Sequence, residues 1–151
     1  MTARIAQNWA LRIAFGVIFV WFGATKMFDN SPATSLVLDL LNKTLPFFPP
    51  QQFLFLFGLF EVLIGFGFLI SRYLKLTYIV TFFHLCATML PLVLLPQHTW
   101  LSVGVLSTEG QYIMKNLILF AGLWGLWLDL PRDNRSSGIK EEREKENIDN
   151  G

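Results

Sequence analysis

The sequence predicts an all-α integral membrane protein: a bundle of four membrane-crossing helices with a short amphipathic helix in the first outer connection. Three observations carry this. The chain has 151 residues, of which 53% are hydrophobic and 15% aromatic, and a mean hydropathy of +0.47, more apolar than a soluble domain of that size requires. The apolar residues fall in long blocks rather than in stripes. Most charged residues lie between or outside those blocks.

Four blocks have the length of a span, for which about 20 mostly apolar residues cover a hydrocarbon core of roughly 30 Å. They run from Trp9 to Phe28, Phe53 to Ile70, Leu74 to Leu95 and Ile113 to Leu130. A soluble bundle helix would carry a polar stripe every three or four residues, and these blocks do not. The first is longer than the apolar region of a secretory signal and has no small-residue cleavage site behind it, so it reads as a retained span. Residues 1–131 form one transmembrane domain on this reading. Residues 132–151 are rich in charges of both signs and nearly devoid of apolar side chains, the composition of a disordered cytoplasmic tail.

Orientation follows from Lys and Arg near the span ends. Arg4 and Arg12 precede the first span, Arg72 and Lys75 lie at the second connection, and five basic residues follow the fourth span. The other two connections hold only Lys26, Lys43 and Lys115. Both termini are expected in the cytoplasm, with the first and third connections outside. In the first connection, "NSPATSLVLDLLNKT" places Ser31 as an N-cap and Pro32 at the first helical position. Leu36, Val37, Leu40 and Leu41 share one side, away from Asp39, Asn42 and Lys43, which suits a helix on the membrane surface or one capping the bundle. Pro46, Pro49 and Pro50 end it.

Several function classes drop out. A formal net charge of +1, without a basic stripe, gives no case for nucleic acid. One cysteine, Cys86, excludes an internal disulfide and any paired-cysteine redox or zinc motif, and it reads as an inert core thiol. No nucleophile elbow, phosphate loop or clustered metal-ligand set is present. No metal and no evident cofactor are therefore expected.

The polar residues inside the blocks are the candidate site. Glu61 lies in "FLFLFGLFEVLIGFGFLI", roughly 12 Å below the outer end of its span at about 1.5 Å per residue. An ionised side chain at that depth costs at least a few kcal/mol unless paired, and is a functional candidate for that reason. Gly58 and Gly65 share its face and let a neighbouring helix approach. Helix side chains lean toward their own N-terminus, so Lys26 on an outward-running helix and Glu61 on an inward-running one lean toward each other. Two readings stand level: the two residues pair, or Lys26 snorkels alone and Glu61 is protonated. Lys115 and Asn116 open the fourth span on the same side, and Lys115 reads as snorkelling outward. With Lys26, Asp29, Glu109 and Glu61 it would line an outward-facing polar pocket. His84 is at mid-depth in the third span but leans away from Glu61. It reads as a hydrogen-bonded packing residue ahead of a ligand, and His98 is too peripheral for a bis-histidine heme site.

"GVIFVWFGATKMF", "FGLFEVLIGFGFL" and "EGQYIMKNLILFAG" resemble the DoxX-like superfamily of small four-span bacterial membrane proteins, including its YkgB-type branch. The likeness runs from about Leu11 to Leu130. It implies that Gly23, Lys26, Glu61, Lys115 and Asn116 occupy the family's characteristic polar positions. It also implies residence in a bacterial inner membrane and a role in redox or oxidative-stress physiology. Two functions follow as expectations. The first is an accessory subunit that binds a quinone or similar lipophile and serves a membrane or periplasmic redox partner, at most one subunit of a quinone-linked oxidoreductase. The second is a non-catalytic scaffold for membrane proteins. Transport ranks third, since four spans are few unless the chain forms a homo-oligomer.

Overall fold

A computed structural model describes residues 2–28 and 31–130, with side chains from residue 8 onward except at residue 71. The predicted tail at 132–151, the side chain of Arg4 and residue Asp29 lie outside the described residues. Among the described residues, three helices are long and apolar enough to cross a membrane: Asn8–Met27, Pro50–Leu69 and Leu74–Leu94. They correspond to α1 (Thr2–Met27), α3 (Pro50–Leu69) and the run of α4 (Leu74–Met89) into α5 (Pro91–Leu94). Pro91 has no N–H for the helical ladder, and the backbone bridges the gap with an i−3 bond from Leu90 N–H to the Ala87 carbonyl. The predicted fourth segment is assembled from two pieces, α7 (Thr108–Met114) and α8 (Asn116–Leu128), which meet at Lys115.

The helix surfaces are inverted relative to a soluble bundle. On α1, Trp9, Ile13, Val17 and Trp21 recur every four residues, and all are exposed. Leu63, Phe83, Ile118 and Trp124 are likewise exposed on the other helices. Arg12, Lys26, Glu61, Thr77, Thr81 and His84 are all buried. Water would reverse that distribution; hydrocarbon around the bundle stabilises it, because polar groups must find partners inside.

The closest packing joins α1 and α3, which run antiparallel with Gly23 against Gly58 and Gly16 against Gly65. A Cβ on Gly23 would lie 2.5 Å from the Gly58 carbonyl oxygen, and one on Gly65 would lie 2.8 Å from that of Gly16. Four glycines at seven-residue intervals on two helices thus let backbone meet backbone, and dispersion rather than water exclusion holds such a contact in lipid. Below it, Phe15, Phe19, Phe68 and Tyr78 form a stacked aromatic core, with Phe15 and Phe68 centroids 4.7 Å apart. Arg12 closes this end. Its Nε and Nη2 donate to the Phe68 carbonyl at 3.0 and 2.8 Å, meeting one of the last carbonyls of α3, which have no partner within the helix.

At the opposite end, α2 (Thr34–Thr44) packs on α3 and α5, buries Leu41 and donates from Lys43 Nζ to the Leu94 carbonyl at 2.5 Å. It therefore caps the bundle. Its start differs from the expected one: the helix begins at Thr34. Ser31 Oγ accepts from Ala33 N–H at 3.3 Å and the Ser31 carbonyl from Thr34 N–H at 3.0 Å, so Ser31 and Pro32 make a turn that precedes the helix. The third connection holds α6 (Pro96–Thr99) and an unforeseen hairpin, β1 (Trp100–Ser102) with β2 (Val105–Leu106). Gly104 turns it at φ +79°.

Candidate functional site

Lys26 from α1, Glu61 from α3 and His84 from α4 converge in the bundle interior. Lys26 Nζ is 2.5 Å from Glu61 Oε2, and His84 Nε2 is 3.1 Å from Glu61 Oε1. Their residues are 7%, 4% and 5% exposed, so neither charge is relieved by solvent. The close approach of α1 and α3 makes the first contact possible. Gly58 lies one turn before Glu61 and presses on Met27, the neighbour of Lys26. The pairing reading for Lys26 and Glu61 is the one the structure displays.

His84 overturns the expectation that it leans away from Glu61. The leaning rule governs the Cα–Cβ bond. The far ring nitrogen and the two methylenes of Glu61 then span the remaining offset between packed α3 and α4. Around the imidazole, Phe19 stands edge-on at 5.6 Å, and Phe57 and Phe60 lie at 5.3 and 5.7 Å between centroids. Lys26 Nζ lies 5.5 Å from the Phe57 centroid and 6.0 Å from that of Phe22, within range of cation–π attraction. The site is thus one carboxylate held between a cation and an imidazole, inside phenylalanine walls. Chemically it can hold a charge in low dielectric and share a proton among three groups.

The other candidates fall elsewhere. Lys115 is exposed, with Nζ 5.5 Å over the Tyr112 ring. Asn116 Nδ2 donates to Thr88 Oγ1 at 3.0 Å, tying α8 to α4 without reaching the carboxylate. Glu109 joins the Ser107 cap of α7: Ser107 Oγ accepts from Gly110 N–H at 3.1 Å and is 3.0 Å from Glu109 Oε2. Its own backbone N–H and then the Ser107 hydroxyl hold the Glu109 carboxyl below its usual range. Cys86 is exposed on the outer side of α4, which corrects its reading as a core thiol. No group of three or more metal-ligating side chains occurs among the described residues. An apolar groove of about 510 Å³ lies between α4 and α8, lined by Tyr78, Phe82, Phe83, Phe120 and Trp124 among others. A second lies at Gln51 and Phe55. Lys26, Glu61 and His84 line neither.

Sequence reasoning missed Arg12 as the cap of α3 and the phenylalanine walls of the site. Phe57 had a visible signal, standing one turn before Glu61 on the same face. Phe19 had none, because its place depends on how α1 and α4 pack.

No curated protein and no solved structure matches the chain. The DoxX family profile matches residues 8–109, a span that includes Lys26, Glu61 and His84 and stops short of Lys115, Asn116 and α8. With a match over most of its length, and with apolar helices enclosing buried charge, the chain belongs to the DoxX family of membrane proteins.

Proposed function

We propose that this protein is an accessory subunit of a membrane redox system in a bacterial inner membrane, binding a quinone or similar lipophile beside Lys26, Glu61 and His84. The observation that carries the reading is the convergence of three ionisable side chains from three helices in an apolar interior. Such groups are costly in lipid and are retained where they serve a pathway or a ligand. A ring carbonyl entering from the lipid would find hydrogen-bond donors in Lys26 and His84, with Glu61 balancing the charge and passing a proton between them. The chain itself supplies no electron carrier on this reading, so a membrane or periplasmic partner does. The Lys and Arg distribution supports an orientation with both termini in the cytoplasm and the α2 end of the bundle outside.

A second reading has its own support. Both Glu61 oxygens are already engaged within the protein, as they would be if the three residues only pinned α1, α3 and α4 together in a scaffold for other membrane proteins. One experiment separates the two. The protein is purified in mild detergent, and its co-purifying lipophiles are extracted and identified. The accessory-subunit reading expects a quinone in near-stoichiometric amount, lost from a folded Lys26→Met/Glu61→Gln double variant. Absence of any enriched lipophile from the folded wild-type protein overturns it in favour of the scaffold.

A further inference from the structure

The hairpin Trp100–Leu106 has a composition that water does not explain. Leu101, Val103 and Val105 are 75%, 103% and 50% exposed, so three apolar side chains project from the hairpin around its Gly104 turn. Residues 76–108, from the third span through the hairpin, contain no Lys, Arg, Asp or Glu. Of these, residues 96–108 form the connection beyond the span, and His98 is its one titratable side chain.

The base of the hairpin is tied to the end of the third span. The Trp100 indole N–H donates to the Leu92 carbonyl at 2.9 Å, and Leu92 lies inside the apolar run Leu74–Leu94. Ser107 N–H donates to the Thr99 carbonyl at 3.0 Å, and Thr99 is fully buried. These bonds hold the two strands beside the last turn of the span, where Val93 is 78% exposed on the lipid-facing surface. The exposed apolar side chains of the hairpin are therefore anchored, through Trp100, to the end of a helix whose exposed surface faces lipid. An indole at this level suits the boundary between acyl chains and headgroups.

We propose that the hairpin dips into the leaflet at this end of the bundle, with Leu101, Val103 and Val105 contacting lipid at the acyl–headgroup boundary. The depth is set by the backbone: the outer edges of two short strands carry N–H and C=O groups that still need water or headgroup partners, so the tip rests in the interface and does not enter the hydrocarbon core. The occupant is lipid rather than a second protein, because the patch is apolar, uncharged and joined to a lipid-covered helix face.

The test uses nitroxide labels on the full chain in liposomes, with Cys86 replaced by Ala and single cysteines placed at Val103, at Val93 as the lipid reference and at Asn42 as the water reference. Helical circular dichroism and thermal melts confirm that each labelled protein is folded. The expected result is a Val103 label relaxed more strongly by oxygen than by a water-soluble nickel chelate, grouping with Val93 and apart from Asn42. Relaxation by the chelate as strong as at Asn42 would overturn the proposal. So would exclusion of both reagents accompanied by dipolar broadening between labels, which would place a second copy of the chain on the patch.

Discussion

Replacing Lys26 by Met and Glu61 by Gln, singly and together, measures how strongly the buried site is coupled. Each single change leaves a charge without its partner at a position less than a tenth exposed, a type of loss that typically costs about 3 to 5 kcal/mol. The two are not expected to be equal. In Lys26→Met the Glu61 carboxylate keeps His84 Nε2 at 3.1 Å, which puts the loss near about 3 kcal/mol. In Glu61→Gln the ammonium loses its counter-charge and is left with a neutral amide oxygen and the Phe57 and Phe22 rings, each ring contributing on the order of 1 kcal/mol, so the loss is about 5 kcal/mol. The double variant removes both charges, and its loss should fall below the sum by about 2 to 3 kcal/mol, the upper part of the range for residues in contact. The assay is reversible unfolding in mixed micelles followed by helical circular dichroism. A parallel cycle of His84→Leu with Glu61→Gln should show a smaller coupling of about 1.5 kcal/mol, the low end for one hydrogen bond to a charged group. Strict additivity of Lys26→Met and Glu61→Gln would show that the two side chains do not interact, and a larger coupling for His84 than for Lys26 would make the imidazole the main partner of Glu61.

Four further outcomes are expected. Gly23→Ala brings a methyl to 2.5 Å from the Gly58 carbonyl oxygen, and separating the two helices should cost about 1 to 3 kcal/mol. Gly125→Ala meets nothing within 4 Å and should be neutral or stabilising by up to about 1 kcal/mol, with the same micelle assay reading both. Arg12→Met removes two charged hydrogen bonds to Phe68 and should cost about 1.5 to 3 kcal/mol, seen as faster amide exchange in the last turn of α3. Because the folded Glu109 carboxyl is depressed, its support for α7 is present above the unfolded carboxylate range and lost as pH falls through the folded value. Amide exchange at Gly110 and Gln111 should therefore gain an acid-side rise over the intrinsic rate, and Glu109→Gln should abolish that pH dependence.

Much of this molecule was legible because lipid imposes a simple rule: long apolar runs must be helices. The third span is found at Leu74–Leu94 against an expected Leu74–Leu95, and α8 begins at Asn116, where the Lys-Asn pair suggested an entry point. Glu61 stood out for the same reason, as a charge where charge is expensive. His84 and Arg12 were harder. The first depends on the relative depth of two packed helices and the second on which helix end an arginine meets, and neither quantity is encoded in one helix's own spacing. The Trp100–Leu106 hairpin escaped because two strands of three and two residues leave almost no period-2 signal. Ser31 carried the residue types of a helix cap, and its hydroxyl closes the preceding turn instead.

We predict that the Glu61 carboxyl is ionised in the bundle interior, held by Lys26 and His84. Infrared difference spectra between wild-type protein and Glu61→Gln in liposomes, near neutral pH, test it most directly. The substitution should remove an antisymmetric carboxylate stretch, displaced from that of a hydrated glutamate by its two hydrogen bonds. Loss of a protonated carboxyl C=O stretch in its place would contradict it, because a neutral Glu61 would leave Lys26 without a counter-ion and the site without the charge on which the proposed function depends.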